Sequence, residues 1–79
     1  MDTENLVRMA NRIGDFFDSM PDPQEARAGI ANHLQRFWDP RMRREILAHV
    51  DEHGGAGLSP IVYEAIVHSR ERLLPAEQR

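Results

Sequence analysis

The chain has 79 residues, a length that accommodates one domain at most. Its 13 acidic and ten basic side chains give a net charge of −3, which disfavours non-specific nucleic-acid binding, and every basic side chain is arginine. Cysteine is absent, which excludes disulfides and thiolate metal sites, and no apolar run approaches the roughly 20 residues that span a membrane.

Four helices are predicted from their start signals. A capping side chain precedes each start, and in the last three a proline follows it at the first helical position: Asp2 or Thr3, Asp22-Pro23, Asp39-Pro40 and Ser59-Pro60. Stop signals follow the first helix at Met20-Pro21 and the third at Gly54–Gly57. The predicted helices cover residues 3–19, 23–37, 40–53 and 60–73.

The first helix is predicted to be amphipathic. At 100° per residue its apolar side chains form one stripe, which comprises Leu6, Met9, Ala10, Ile13, Phe16, Phe17 and Met20. Gly14 lies beside this stripe, where it would let another helix approach closely. The segment MDTENLVRMA has no basic region followed by an apolar one, so we expect no secretory signal and a cytoplasmic location.

The second and third helices each predict one buried stripe. In the second it comprises Ala26, Ile30, Leu34 and Phe37, and in the third Met42, Ile46, Leu47 and Val50. Trp38 lies at the edge of the second stripe. We therefore expect Phe37 in the core and Trp38 at an interface.

The fourth helix carries more apolar surface than three short helices can cover. One side is formed by Ile61, Val62, Ala65, Ile66 and Leu73, and Tyr63, Val67 and Leu74 continue it around the back. A second copy or a different protein would cover the surplus, so Tyr63 and Val67 are predicted partner contacts. The alternative is that both are ordinary exposed apolar side chains.

The segment His49-Val50-Asp51-Glu52-His53 matches the H-x-x-E-H pattern of inverted zinc peptidases. Its histidines share a helical face, but a catalytic zinc also needs a third ligand and a cleft. His53 is followed directly by Gly54, where the helix ends. We therefore predict no metal site and no catalytic residue.

Residues 36–44 combine two large aromatic side chains with four arginines at a corner between two helices. Trp, Phe and Arg are enriched at the centres of protein interfaces. The segment predicts a docking corner, formed by Arg36, Trp38, Asp39, Arg41, Arg43 and Arg44. The alternatives are an ordinary structural corner and contact with RNA, to which arginine also binds.

Three segments resemble a known family in their order and spacing: LVRMANRIGDFF at 6–17, GIANHLQRFWDPRMR at 29–43 and GLSPIV at 57–62. The middle segment is the most specific. The family is the delta subunit of soluble NAD-dependent formate dehydrogenases that contain molybdenum or tungsten. The resemblance extends to about residue 67 and leaves the end of the fourth helix outside it.

This resemblance implies an accessory, non-catalytic subunit of a cytoplasmic enzyme complex. It implies binding to the catalytic subunit in support of assembly, stability or molybdopterin insertion, with the molybdopterin, iron–sulfur clusters and FMN held by larger subunits. The alternatives are a transient assembly chaperone and a homodimeric interaction module that self-associates through the fourth helix. The overall prediction is an all-α, compact four-helix domain with irregular, orthogonal packing over residues 1–74, followed by a frayed tail at 75–79.

Overall fold

The structure, a computed structural model, describes residues 2–75. It contains four long helices, α1 (Thr3–Phe17), α2 (Pro23–Phe37), α3 (Pro40–His53) and α4 (Pro60–His68), and a short α5 (Arg70–Leu73). The predicted all-α class and compact four-helix architecture are therefore confirmed. None of these helices has the length and apolar character required to cross a membrane.

The helices begin where the capping residues predict. The carboxylates of Asp2, Asp22 and Asp39 accept hydrogen bonds from backbone N–H groups in the first turns of α1, α2 and α3. Ser59 differs, because its side chain makes no capping bond. Its own backbone N–H donates to Oδ1 of Asn11 at 2.9 Å, and Nδ2 of Asn11 donates to the carbonyl oxygen of Gly57. The start of α4 is thus tied to α1.

Helix α2 lies at the centre of the fold, in contact with α1, α4 and α5, while α3 packs on α1 and α5. The core they enclose is almost entirely aliphatic, with one aromatic ring, and comprises Leu6, Ala10, Ile30, Leu34, Trp38, Ile46, Leu47, Val62, Ala65, Ile66 and Leu73. No charged or polar side chain within residues 2–75 is fully buried.

Two of the predicted helix ends are wrong. Helix α1 ends at Phe17, not at residue 19, and a turn follows in which the Ser19 hydroxyl donates to the carbonyl oxygen of Phe16. The predicted fourth helix is interrupted at Ser69, whose φ of −114° and ψ of 25° leave the helical region. The resulting bend carries Leu73 into the core, where it is fully buried.

Two arginines hold α5 against α3. The guanidinium of Arg70 forms a bidentate pair with the carboxylate of Asp51, at 2.9 and 2.6 Å. Nη1 of Arg43 donates to the carbonyl oxygen of Leu73 at 3.4 Å. Of the predicted frayed tail, Pro75 is buried, and residues 76–79 lie outside the described residues.

The predicted close approach at Gly14 is confirmed. A Cβ atom on this residue would overlap Cγ2 of Val62, a buried side chain of α4. We expect Gly14→Ala to lower the free energy of unfolding by about 1–3 kcal/mol, because a packed core does not accommodate an added methyl group. The higher helix propensity of alanine offsets at most about 1 kcal/mol. Urea unfolding measures the change, and an unchanged midpoint would contradict the contact between α1 and α4.

Candidate functional site

The predicted docking corner lies where α2 ends and α3 begins, and the structure exchanges the expected roles of its two aromatic residues. Trp38, predicted at an interface, is only 5% exposed, whereas Phe37, predicted in the core, is 68% exposed. Both predictions are therefore wrong. Trp38 is not available as a docking anchor in the folded chain.

The exchange follows from the rows of side chains on α2. Its core-facing row runs in steps of four residues through Ala26, Ile30 and Leu34. The backbone N–H of Trp38 still donates to the carbonyl oxygen of Leu34, so Trp38 occupies the next position of this row. Phe37 lies on the neighbouring row of α2, one turn after His33, and the two ring centroids are 4.8 Å apart.

The charged residues of the corner are placed in different ways. Arg36, Asp39, Arg41 and Arg44 are exposed, as a docking role requires. Asp39 also caps α3, since its Oδ1 accepts from the backbone N–H of Met42. Arg43 is half-buried and turned toward α5, and its Nε atom is buried without a hydrogen-bond partner. The guanidinium of Arg43 therefore makes its hydrogen bond within its own chain, to α5.

A shallow groove of about 330 Å³ runs between α1 and α2. Its lining is mainly apolar and comprises Arg12, Ile13, Phe16, Phe17 and His33. The floor depends on Gly29 of α2, because a Cβ atom there would lie 2.5 Å from Cε1 of Phe17. The ring of Phe17 thus rests directly on the backbone of α2.

Phe16 forms one wall of this groove and is 75% exposed, although the helical phasing placed it in the apolar stripe of the first helix. Its ring stands edge-on to that of Phe17, with centroids 5.0 Å apart. The buried row of α1 runs through Leu6, Ala10 and Gly14. Phe16 lies one turn after Arg12, on a row that faces away from the core. That polar neighbour was the available signal for its exposure.

The groove continues into the corner through His33, which lines the groove and contacts Phe37. Arg36 extends over the outer side of Phe37, with its guanidinium carbon 5.8 Å from the ring centroid. We call this continuous area the aromatic surface. It consists of Arg12, Ile13, Phe16, Phe17, His33, Arg36 and Phe37.

The charges on the aromatic surface are all of one sign. Arg12 and Arg36 are exposed, and neither forms an ion pair with a carboxylate of residues 2–75. The neighbouring acids, Asp15 in α1 and Asp18 directly after it, line a separate depression together with Arg27. An acidic chain therefore presents a local cationic rim around exposed aromatic rings.

The back of α4 carries a second apolar area. Tyr63 and Val67, the predicted contacts there, are 38% and 41% exposed, so the surplus surface expected on this helix is present. The ring of Tyr63 is partly occupied within the chain, because it rests against Gly55. Both side chains are less exposed than Phe16 and Phe37.

The two histidines of the H-x-x-E-H segment lie side by side near the end of α3, with ring centroids 5.7 Å apart. Nε2 of His49 is 2.7 Å from the carbonyl oxygen of Ala56, a contact that ties the glycine-rich turn back to the helix. Within residues 2–75, no group of three or more His, Cys, Asp or Glu side chains has a metal-binding arrangement.

Comparison with known proteins adds one match. A family model described as the NADH-dependent formate dehydrogenase delta subunit FdsD matches residues 5–66. No curated protein and no solved structure matches the chain. The matched range includes α2 and α3 and most of α1 and α4, and with them the whole aromatic surface.

Proposed function

The chain belongs to the FdsD family of NADH-dependent formate dehydrogenase delta subunits, and from this premise we propose that it is a non-catalytic subunit that binds the catalytic subunit of that enzyme. The observation that carries the proposal is the exposure of Phe16 and Phe37 on one continuous surface. Two large aromatic rings left in water by a chain of this size are typical of an interface.

The docking area of this proposal is the aromatic surface, continued by the exposed corner residues Asp39, Arg41 and Arg44. Tyr63 and Val67 provide a second, smaller contact with the same partner. Trp38 and Arg43 act indirectly, since both hold the corner in place from inside the domain. The bound state would be stabilised by mass action, which supports assembly of the complex.

The cofactors of the complex belong to other subunits in this proposal. Iron–sulfur clusters are held by cysteine thiolates, and this chain has no cysteine. Molybdopterin and FMN are likewise assigned to the larger subunits, so that this chain acts on cofactor insertion only through the conformation of its partner. The site of action is the cytoplasm.

Purification from the native host tests the proposal. The catalytic subunit carries the affinity tag, and one culture is able to make molybdopterin while a matched culture is not. We expect this chain at a one-to-one ratio with the catalytic subunit in the loaded enzyme, as measured by quantitative mass spectrometry.

The same experiment separates the alternatives. Recovery of this chain only with cofactor-free catalytic subunit would identify a transient assembly chaperone. Its absence from both preparations would overturn the proposal. If the chain were then recovered without the enzyme, as a dimer that associates through α4, the proposal would be replaced by that of a self-associating module.

A further inference from the structure

We infer that the aromatic surface receives an acidic, amphipathic segment of its partner, whose apolar side chains enter the groove between α1 and α2 while its carboxylates pair with Arg12 and Arg36. This inference rests on the proposed function, because it names the chemistry of the segment that the subunit binds. It follows from the juxtaposition of exposed aromatic rings with two cations that have no carboxylate partner within residues 2–75.

The apolar part of the surface is preformed. Phe17 packs against Gly29 and contacts Phe16 edge-on, so the floor of the groove rests on the backbone of α2. His33 packs beside Phe37 and joins the groove to the corner. Such a row of rings fits aliphatic or aromatic side chains that repeat along one face of a helix.

The cationic part specifies the charge of the occupant. Arg12 lines the groove, and Arg36 stands over the ring of Phe37 at its far end. Their guanidinium groups offer bidentate hydrogen bonds that carboxylates accept in a fixed geometry. A partner that buried these cations without supplying carboxylates would lose their hydration without compensation.

Charge also argues against a second copy of this chain as the occupant. In a two-fold symmetric dimer the same patch lies on both sides of the interface, so cations would face cations. Like charges brought together across an interface oppose association. The carboxylates of Asp15 and Asp18 lie in another depression and do not relieve this repulsion. The surface therefore fits a different, oppositely charged protein.

Charge reversal tests the inference. The double variant Arg12→Glu/Arg36→Glu is compared with wild type for binding to purified formate dehydrogenase that lacks this subunit. The control is Arg8→Glu, an exposed arginine of α1 that lines a separate depression near His49, and it is matched in charge to each of the single variants Arg12→Glu and Arg36→Glu, which are measured beside the double variant. We expect the double variant to bind at least about tenfold more weakly and the control to bind as wild type does.

The salt dependence of binding adds a second readout. Between about 50 and about 300 mM NaCl, wild-type affinity should fall, because the pairing charges are screened. Affinity of the double variant should instead stay level or rise as its repulsion is screened. Equal affinity and equal salt dependence for wild type and double variant would overturn the inference and leave the proposed function intact. Failure of the wild type to bind at all would overturn both.

Photo-crosslinking identifies the occupant directly. With p-benzoylphenylalanine incorporated at Phe16 and the complex irradiated, mass spectrometry locates the crosslinked peptide. We expect a segment of another subunit that carries apolar residues at helical spacing together with Asp or Glu. A crosslink to a second copy of this chain, to nucleic acid or to a basic segment would overturn the inference.

Discussion

Trp38→Ala should lower the free energy of unfolding by about 3–5 kcal/mol, the usual cost of truncating a buried aromatic side chain to alanine. Trp38 belongs to the core and directly follows the end of α2, two residues before α3 begins. A domain of this length has only about 4–12 kcal/mol of total stability. The expected loss is therefore a large share of the total stability, and urea unfolding followed at the helical band of the circular dichroism spectrum measures it.

Phe37→Ala is the matched control, because it removes an aromatic ring one residue away. Phe37 is largely exposed, so its truncation should change stability by no more than about 0.5 kcal/mol. A large loss in the Phe37 variant, with a small one in the Trp38 variant, would restore the roles predicted from helical phasing and contradict the corner described above.

The second large effect concerns binding. Phe16→Ser/Phe37→Ser should weaken association with the enzyme that lacks this subunit by about 100-fold or more, since central aromatic residues dominate interface energies. The isolated variant should remain as helical as wild type, because neither ring contributes to the buried core. Titration calorimetry gives the affinity, and circular dichroism gives the helicity of the same samples.

Tyr63→Ser/Val67→Ser provides the comparison within the same chain. This pair on the back of α4 is about half as exposed as the two phenylalanines, so we expect a loss below about tenfold. If the order of the two double variants were reversed, α4 would be the principal docking face and the aromatic surface would be secondary.

The helices themselves were predictable because their starts are encoded locally. An aspartate directly before a proline satisfies free N–H groups of the first turn and presets the backbone angle of the next residue. Asp22 and Asp39 act in this way, and α2 and α3 have the predicted bounds. The break at Ser69 was not predictable from such signals. It is accompanied by the pairing of Arg70 with Asp51, a contact between side chains 19 residues apart that no local signal encodes.

The candidate site was predicted in position but not in detail. The composition of residues 36–44 pointed to the corner, yet helical phasing assigned its two aromatic side chains the wrong way round. Helical phasing is a poor guide at a helix end. Here the chain continues the buried row of α2 through Trp38, whereas Phe37, on the neighbouring row, is left exposed. The groove could not be predicted from the sequence either, because it forms where the ring of Phe17 meets Gly29 of another helix.

The buried position of Leu73 bears on where this domain can be shortened. The family match stops at residue 66, inside α4. Leu73, which lies in α5 and outside the match, is a fully buried residue of the hydrophobic core. Truncation of the chain after residue 66 would remove this core side chain and, with it, the ion pair between Arg70 and Asp51. The smallest autonomously folding unit is therefore expected to extend past residue 66, where the family match ends, and to include the buried side chain of Leu73.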